Sequence, residues 1–297
     1  MSRTLSPSSK RPYGVARVIA VWELVRSSYY AARQRQQHPR PAAKRGPKRL
    51  SDEELAREIR QVLDQSFFHG EGYRKVWARL RHKGIRAWKD RVLRVMRENH
   101  LLSPSRQPDA RPTNPHEGRI VADTPNQLWG TDATTTFTQE DGQVTIFAAI
   151  DHCSADCIGV HAVKRAHRFE ALEPIRQGVR RCFGGFAQGI GRGLAVRHDH
   201  GSQYMSDAFQ QELAFLGLES SPAFVRAPEG NGCAERFIRT LKENLLWVRT
   251  FDSVEELRQA LLVFREVYNT TWLIERHGFQ TPAAMRQNQL SPAAMAA

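Results

Sequence analysis

Apolar residues recur every three or four positions along residues 51–102, which is the period of amphipathic helices. The segment Ser51-Asp52-Glu53-Glu54 has the pattern of a capping box and predicts a helix that extends to about Gln65. Two further helices are predicted over residues 73–82 and 89–99. The turn between them contains Gly84, which takes a positive φ easily. This spacing predicts a helix-turn-helix domain over residues 51–102.

The third of these helices has an apolar face and a basic face. One face, mostly apolar, repeats at helical spacing through Val92, Val95, Met96 and Asn99. The bases that remain for its other face are Lys89, Arg91, Arg94 and Arg97. A recognition helix presents such residues to the major groove, so we predict that these four contact DNA. The alternative is a basic, solvated face on a small helical bundle.

From Asn126 onward the pattern changes to short β-rich runs. Strands are predicted over residues 128–138, 144–151 and 158–163, with a hairpin turn at 139–142. A helix at 169–183, a strand at 194–198, a helix at 206–216 and a strand at 218–221 follow, and two further helices come after the loop 226–232. Three antiparallel strands followed by alternating helices and strands predict an α/β fold, a ribonuclease-H-like core with a mixed five-stranded sheet.

Two proline-rich, loop-like segments divide the chain. The first is a basic tract over residues 36–49, and the second, over 103–121, contains four prolines. We therefore predict a basic N-terminal arm and linker (1–50), the helix-turn-helix domain (51–102), a linker (103–121) and a catalytic core with C-terminal helices (122–290). Two short helices are predicted within the arm, at 18–24 and 26–30. Contact with DNA and packing on a partner chain are alternative roles for them.

The positive charge of the chain is concentrated before the core. The net charge is +13, but residues 1–112 hold 26 of the 44 Lys and Arg residues and only 10 of the 31 Asp and Glu residues, a net of +16. The remainder carries −3. Basic clusters gain affinity for nucleic acids by displacing counterions from phosphates, so a polyanion is the expected partner.

Cysteine usage and hydropathy limit the setting of the protein. Four cysteines are too few for a dense disulfide framework, and no charged-then-apolar leader opens the chain, so we expect a cytoplasmic protein. No apolar run approaches the roughly 20 residues needed to cross a bilayer, so no membrane span is expected. The set Cys153, Cys157, His161 and His167 lacks a paired Cys-x2-Cys arm, and small buried residues are the preferred interpretation of the cysteines over a zinc site.

Three carboxylates stand out as candidates for metal-dependent phosphodiester chemistry. That chemistry uses two divalent cations, and hard oxygen ligands suit Mg²⁺. Asp132 lies within a predicted strand, where a buried charge is costly without a partner or a cation. Asp199 directly follows the strand at 194–198. Glu235 lies on the helix that Gly230-Asn231-Gly232 opens.

The helix that carries Glu235 is amphipathic. At about 100° per residue, Arg239 and Lys242 fall on the same side as Glu235. The apolar residues on the other side are Phe237, Ile238, Leu241 and Leu245. An acid with two bases on an exposed helix can be a simple ion-pair face, and this alternative explains the spacing on its own.

Taken together, the three acidic segments resemble the motifs of the transposases of the family-three bacterial insertion sequences, which belong to the retroviral-integrase-like superfamily. The segments are Trp129-Gly130-Thr131-Asp132, Asp199-His200-Gly201-Ser202-Gln203-Tyr204 and Asn231-Gly232-Cys233-Ala234-Glu235-Arg236-Phe237. As in that family, 35 residues separate Asp199 from Glu235, and Lys242 follows Glu235 by seven positions. Outside the core, the segments 72–77, 91–98, Tyr268-Asn269 and Thr281-Pro282 resemble the second-frame (OrfB) protein of these elements, so about residues 50–285 are covered.

The resemblance implies a DDE transposase. Asp132, Asp199 and Glu235 would hold two Mg²⁺ ions, for which Mn²⁺ can substitute, cleave the ends of the element and transfer the freed 3′-OH. Lys242 and Arg239 would contact DNA. The implied partners are the terminal repeats and target DNA, other copies of the chain in a homo-oligomer on DNA, and a first-frame (OrfA) protein or fusion, all in the bacterial nucleoid.

The chain departs from the family pattern in two places. Arg197-His198 replaces the His-Ser of many relatives, and Arg276-His277 stands where Arg-Pro-His is expected after Tyr268-Asn269. Two other functions stay open from sequence: a non-catalytic DNA-binding regulator of transposition, and a ribonuclease-H-like nuclease without strand transfer.

Overall fold

The computed structural model describes residues 3–37, 50–104, 122–223 and 231–291. The chain divides into two compact units, residues 1–51 and 52–297. The predicted linkers fall mostly in the ranges 38–49 and 105–121, which lie outside the described residues. None of the described helices is both long and apolar enough to cross a membrane.

The first unit contains two helices, α1 (Val15–Val21) and α2 (Arg26–Gln37). The sequence predicts both, but α1 begins three residues earlier than expected and α2 extends seven residues further. The predicted linker therefore began too early, at residue 36, because residues 36 and 37 belong to α2. No residue of α2 is buried, and within α1 only Ile19 is. The polar composition of 31–37 hides this helix from a hydrophobic-period argument, because there is no apolar face to detect.

The second unit begins with three helices, α3 (Asp52–Asp64), α4 (Tyr73–His82) and α5 (Lys89–Glu98), close to the predicted bounds. Gly84, in the turn between α4 and α5, has φ +82°. The buried side chains that hold the three helices together are Leu55, Ile59, Val62, Val76, Leu80, Val92, Val95 and Met96. The apolar face predicted for α5 is thus its buried face.

The sheet has five strands, β1 (Leu128–Thr138), β2 (Gly142–Asp151), β3 (Cys157–Val163), β4 (Ala195–His198) and β5 (Glu219–Pro222). Their order is β3-β2-β1-β4-β5. The first three pair in antiparallel fashion, whereas β4 pairs in parallel with both β1 and β5. The predicted mixed five-stranded sheet is confirmed.

Helices cover both faces of the sheet. They are α6 (Arg168–Phe183), α7 (Asp207–Leu216), α8 (Gly232–Leu241), α9 (Val254–Thr271) and α10 (Pro282–Leu290). Alternation along β2 separates the two cores: Phe147 packs in the core that includes residues of α6 and α7, whereas Ile146 and Ala148 pack in the core that includes residues of α8 and α9. The period of two residues in a strand is the reason that neighbours face opposite layers.

The helix-turn-helix domain packs directly on the core domain. Phe68, in the loop before α4, is buried among core residues, with its ring centroid 4.5 Å from that of Trp272. Trp77 of α4 lies against Phe279, at 5.7 Å between ring centroids. The backbone N–H of His69 also donates to the side-chain oxygen of Asn244, a buried residue in the helical turn that follows α8. These contacts fix the helix-turn-helix to the C-terminal part of the core.

Candidate active site

Two of the three acids lie on neighbouring parallel strands. The β1–β4 register pairs Leu128 with Ala195, Trp129 with Val196 and Gly130 with Arg197. The same offset, extended by two residues, sets Asp132 opposite Asp199. Paired strands are about 4.8 Å apart, so this register places the two acids side by side at the C-terminal end of β4.

Glu235 lies in the first turn of α8, which packs against β1. Phe237 and Leu241 of this helix are buried, whereas Glu235 and Arg239 are exposed. The amphipathic phase predicted from the sequence is therefore confirmed. The continuous α-helix assumed beyond Leu241 is not, because a π-helical turn (Lys242–Leu246) follows directly. Such a turn often occurs at functional sites.

The charges of Asp199 and Glu235 act on the carboxyl group of Asp132. Burial raises the pKa of the Asp132 carboxyl to about 6, and the negative charges of Asp199 and Glu235 add to the rise. The N–H of Ala133, which donates to Asp132 Oδ1 at 2.8 Å, and the charge of Lys242 act in the opposite direction. Asp132 is half-buried, whereas Asp199 and Glu235 are exposed. A carboxylate surrounded by like charges favours either a proton or a cation.

The loop after Asp199 is ordered by short-range hydrogen bonds. Asp199 Oδ1 accepts a hydrogen bond from the N–H of Gly201 at 2.7 Å. His198 is buried, and burial lowers its pKa, which favours the neutral form of the ring. Its Nδ1 donates to the carbonyl of Asp199 at 2.7 Å, and Nε2 accepts from the hydroxyl of Ser220 at 2.9 Å. His198 therefore supports the backbone at the second acid instead of reacting.

The donor set suits a hard divalent cation, since three carboxylates supply only oxygen ligands and the charge on each destabilises the others. Within the described residues, however, no three His, Cys, Asp or Glu side chains are already arranged to hold a metal ion. Like-charged carboxylates are expected to stand apart without a cation between them. The three carboxylates therefore suit a divalent cation in their chemistry and in their shared surroundings. Their closer approach would come with binding of the cation.

The predicted DNA contacts occupy two regions. Lys242 begins the π-helical turn beside the acids and is half-buried, whereas Arg239 is exposed and its Nε donates to Glu243 at 3.0 Å. On α5, Arg91 and Arg94 both form ion pairs with Asp52. The other two bases of α5, Lys89 and Arg97, lie in different environments.

Lys89 Nζ lies 4.5 Å from the ring centroid of Trp77 and 5.7 Å from that of Phe279, at the contact between the two domains. Arg97, in the last turn of α5, is exposed. The structure therefore brings Lys242 to the acids and divides the α5 bases between ion pairs, a cation–π contact and open surface.

Two arginines near the C-terminus have roles that sequence reasoning missed. Arg276 donates to the carbonyl of His152 at 2.8 Å, so the departure at Arg276-His277 still ties this segment to the loop after β2. Arg286 of α10 lies 3.8 Å from carboxylate oxygens of both Asp151 and Asp156, which are fully buried. Two buried acids spaced five residues apart were the sequence feature that could have indicated a basic partner.

The residues considered for zinc have other environments. Cys153 and Cys157 are buried free thiols, as expected of small core residues. His161 Nε2 lies 2.6 Å from a carboxylate oxygen of Glu170. His167 precedes α6 as its N-cap residue.

Comparison with known proteins identifies the family. A family model described as HTH-like domain matches residues 50–109, and two described as Integrase core domain match 122–228 and 216–282, together more than half of the chain. The transposase for insertion sequence element IS629 of Shigella sonnei is 28% identical over 286 residues, which are 92% of each chain. The transposase InsD for insertion element IS2 of Escherichia coli is 31% identical over 182 residues, 59% of this chain and 60% of InsD.

The chain belongs to the OrfB-type transposases of the family-three bacterial insertion sequences. It is an enzyme of the DDE transposase and integrase class, with a ribonuclease-H-like integrase core behind a helix-turn-helix domain.

Solved structures similar to this transposase include a chain of the simian T-cell lymphotropic virus intasome in complex with the PP2A regulatory subunit B56 gamma (20% identity, 73% and 71% coverage of this chain and that one, TM-score 0.45). The HTLV-2 integrase catalytic core domain in complex with magnesium is 17% identical, covering 55% of this chain and 97% of that one, with a TM-score of 0.41.

Proposed function

We propose that this transposase cleaves DNA at the ends of an insertion sequence and joins the freed 3′-OH to target DNA through Asp132, Asp199 and Glu235. The observation that carries the proposal is the raised pKa of Asp132, because its causes include the charges of both other acids. The action of two carboxylates from separate elements on the Asp132 carboxyl supports a shared site, because perturbed carboxyl groups cluster at functional sites.

The three carboxylates would hold two Mg²⁺ ions, or Mn²⁺ in their place. Bound divalent ions activate the attacking oxygen and stabilise the leaving oxygen of a phosphodiester. Asp132 and Asp199 would approach the phosphate from the centre of the sheet, on β1 and directly after β4, and Glu235 would approach it from α8. Lys242, beside them, would hold a DNA phosphate by charge and keep the reacting phosphorus in position.

The two steps balance without any further reactant. In the first, the oxygen of water forms a bond to the phosphorus at the element end, and the bond from phosphorus to the 3′ oxygen breaks, which leaves a 3′-OH on the element. In the second, that hydroxyl attacks a phosphorus of the target, and the target's own 3′ oxygen leaves. The proton of the attacking hydroxyl passes to solvent, and the leaving 3′ oxygen takes up a proton from solvent.

DNA would be held at several places on the chain. We propose that the basic first unit and the exposed bases of α5, Arg97 foremost, bind phosphates or bases of the terminal repeat. Arg239, on the exposed face of α8, would add a contact near the acids. Joining two element ends to one target requires at least two copies of the site, so a homo-oligomer on DNA is part of the proposal, with a first-frame (OrfA) protein as an additional or fused partner.

An assay with labelled element-end DNA, Mg²⁺ and a target duplex tests this function. We expect nicked and joined products from the wild type and neither product from Asp132→Asn, Asp199→Asn or Glu235→Gln. Nicking without joining would identify a nuclease. Binding without either product, in the presence and absence of the first-frame protein, would identify a regulator.

A further inference from the structure

The first turn of α8 is attached to β1 by one side chain. Asn231, the N-cap residue of α8, is buried, and its Nδ2 donates to the backbone carbonyl of Thr131 at 2.9 Å. Asparagine at an N-cap ordinarily accepts a hydrogen bond from its own helix, but the Asn231 side chain makes no such bond. It spans 100 residues of sequence to reach the sheet instead.

This hydrogen bond lies next to two of the three acids. Thr131 directly precedes Asp132, and Asn231 precedes Glu235 by four residues, or about one helical turn, so Asn231 and Glu235 lie on the same side of α8. A tie at Asn231 therefore sets how closely Glu235 approaches Asp132. Their like charges repel each other, and a neutral amide bound to a buried carbonyl opposes that repulsion without adding charge.

Gly130 leaves space for the Asn231 side chain that forms this hydrogen bond. A β-carbon at Gly130 would lie 2.5 Å from Asn231 Oδ1 and 2.6 Å from His152 Nε2, which is closer than nonbonded atoms approach. A glycine inside a strand weakens it and marks a place where another group comes close. Here the group is the Asn231 amide, which occupies the space that any other side chain at 130 would need.

We propose that Asn231 is a positioning residue for this transposase: its amide fixes α8 against β1 so that Glu235 stands beside Asp132, and Gly130 admits that amide to the sheet. This inference rests on the proposed function of the three acids. Asn231 acts through Glu235 and touches neither the reacting phosphate nor the DNA ends.

The test uses the full chain as wild type, Asn231→Ala, Gly130→Ala and the double variant. Affinity for Mn²⁺ is measured by calorimetry without DNA, and strand joining is measured in a single turnover. We expect Asn231→Ala to lower both the Mn²⁺ affinity and the joining rate about 10- to 100-fold, the range found when partners of metal ligands are removed. The Kd for element-end DNA should stay at the wild-type value.

The double variant addresses Gly130 directly. With alanine at 231 only His152 remains close to residue 130, so a Gly130→Ala substitution that acts through the Asn231 amide should add little to Asn231→Ala, although alone it lowers Mn²⁺ affinity by displacing that amide. Additive losses would show that Gly130→Ala acts through His152, and would overturn the role assigned to Gly130.

Two controls distinguish a positioning role for Asn231 from a general loss of stability and from a failure of the proposed function. Asn269→Ala removes two buried hydrogen bonds to the backbone of Cys157, away from the acids, and should lower the melting temperature without changing Mn²⁺ affinity. An equal loss of Mn²⁺ affinity in Asn269→Ala, or wild-type Mn²⁺ affinity in Asn231→Ala, would overturn the positioning role. Asp132→Asn tests the site itself: if it binds Mn²⁺ and joins DNA as the wild type does, the proposed function fails, whatever Asn231 does.

Discussion

Asp132 and Asp199 stand at equivalent positions, each two residues beyond the last pair of the β1–β4 ladder, Gly130 and Arg197. The parallel register therefore sets two acids, 67 residues apart in sequence, against each other. Glu235 joins them from α8, and its charge and that of Asp199 add to the effect of burial in raising the pKa of Asp132 to about 6. The arrangement has a measurable consequence for stability.

Asp132→Asn should stabilise the metal-free protein at pH 8. The folded-state pKa of Asp132 lies above the unfolded value, so the wild type loses stability as the pH rises from about 4 to about 6 and stays at the lower level above that. Asparagine carries no charge and can still accept the hydrogen bond from Ala133. We expect a melting temperature higher by roughly 3–6 °C at pH 8, and little difference at pH 4.

Thermal melting across pH 4–8 with a chelator measures this difference, and added Mg²⁺ provides the control. Mg²⁺ should raise the melting temperature of the wild type but not that of Asp132→Asn. A variant that melts below the wild type at pH 8 would show that Asp132 is not held in a repulsive setting.

Phe68→Ala should destabilise the domain junction. The Phe68 side chain is 2% exposed and lies between Phe264 and Trp272, so its loss leaves a cavity that costs about 3–5 kcal/mol of unfolding free energy. Phe67, next to it, is 41% exposed and provides a matched control, with a much smaller loss expected on Phe67→Ala. Urea unfolding of the two variants compares them. Equal losses would mean that Phe68 is not an anchor between the domains.

The junction also shows where sequence reasoning ends. Periodicity within one element predicted the five strands and the three helices of residues 51–102, because hydrophobic spacing is a local property. The packing of Phe68 on Trp272 joins residues about 200 positions apart, and no local pattern encodes it. The π-helical turn at Lys242 is similar, since its sequence fits an α-helix equally well.

The candidate active site, too, could be predicted only in part from the sequence. Motif order and spacing identified Asp132, Asp199 and Glu235 as candidates, and the structure sets them near one another. Asn231 and Gly130 stood within those motifs without an assigned role, because a hydrogen bond from a side chain to a distant backbone carbonyl leaves no periodic trace. Arg276 was interpreted as a departure from the family pattern, yet its side chain donates to the backbone carbonyl of His152, a contact that the residues around Arg276 in the sequence do not reveal.

Removing residues 1–49 should reduce the salt dependence of DNA binding. These residues hold 12 Lys and Arg and a single acidic residue, and they make up almost all of the first compact unit. Log K falls by nearly one unit per neutralised phosphate for each unit of log salt, so the slope should drop by several units. The deletion ends before α3, because removing the helix-turn-helix as well would remove Phe68 and expose the core residues that it covers.

Binding isotherms on element-end DNA at several salt concentrations measure the slope for the full chain and the truncated one. The melting temperature of the truncated chain serves as the control for intact folding of the second unit. An unchanged slope would place the phosphate contacts in the second unit, with Arg97 and Lys242 as the first residues to test.

Lys242→Ala separates a role in catalysis from a role in packing. Lys242 is half-buried at the start of the π-helical turn, and its charge lowers the pKa of Asp132, so the two charged groups act on each other. Loss of that charge should shift the acid limb of the pH–rate profile for joining to higher pH, because Asp132 then ionises at higher pH. Loss of a phosphate contact should also lower the joining rate at every pH, while the free energy of unfolding changes by no more than about 0.5 kcal/mol.

Arg249→Ala is the matched control: it also removes one positive charge, but Arg249 pairs with Glu256, away from the acids. If Lys242→Ala joins strands as fast as Arg249→Ala with the same pH profile, Lys242 has no part in the reaction, and a melting temperature several degrees lower would make it a packing residue instead.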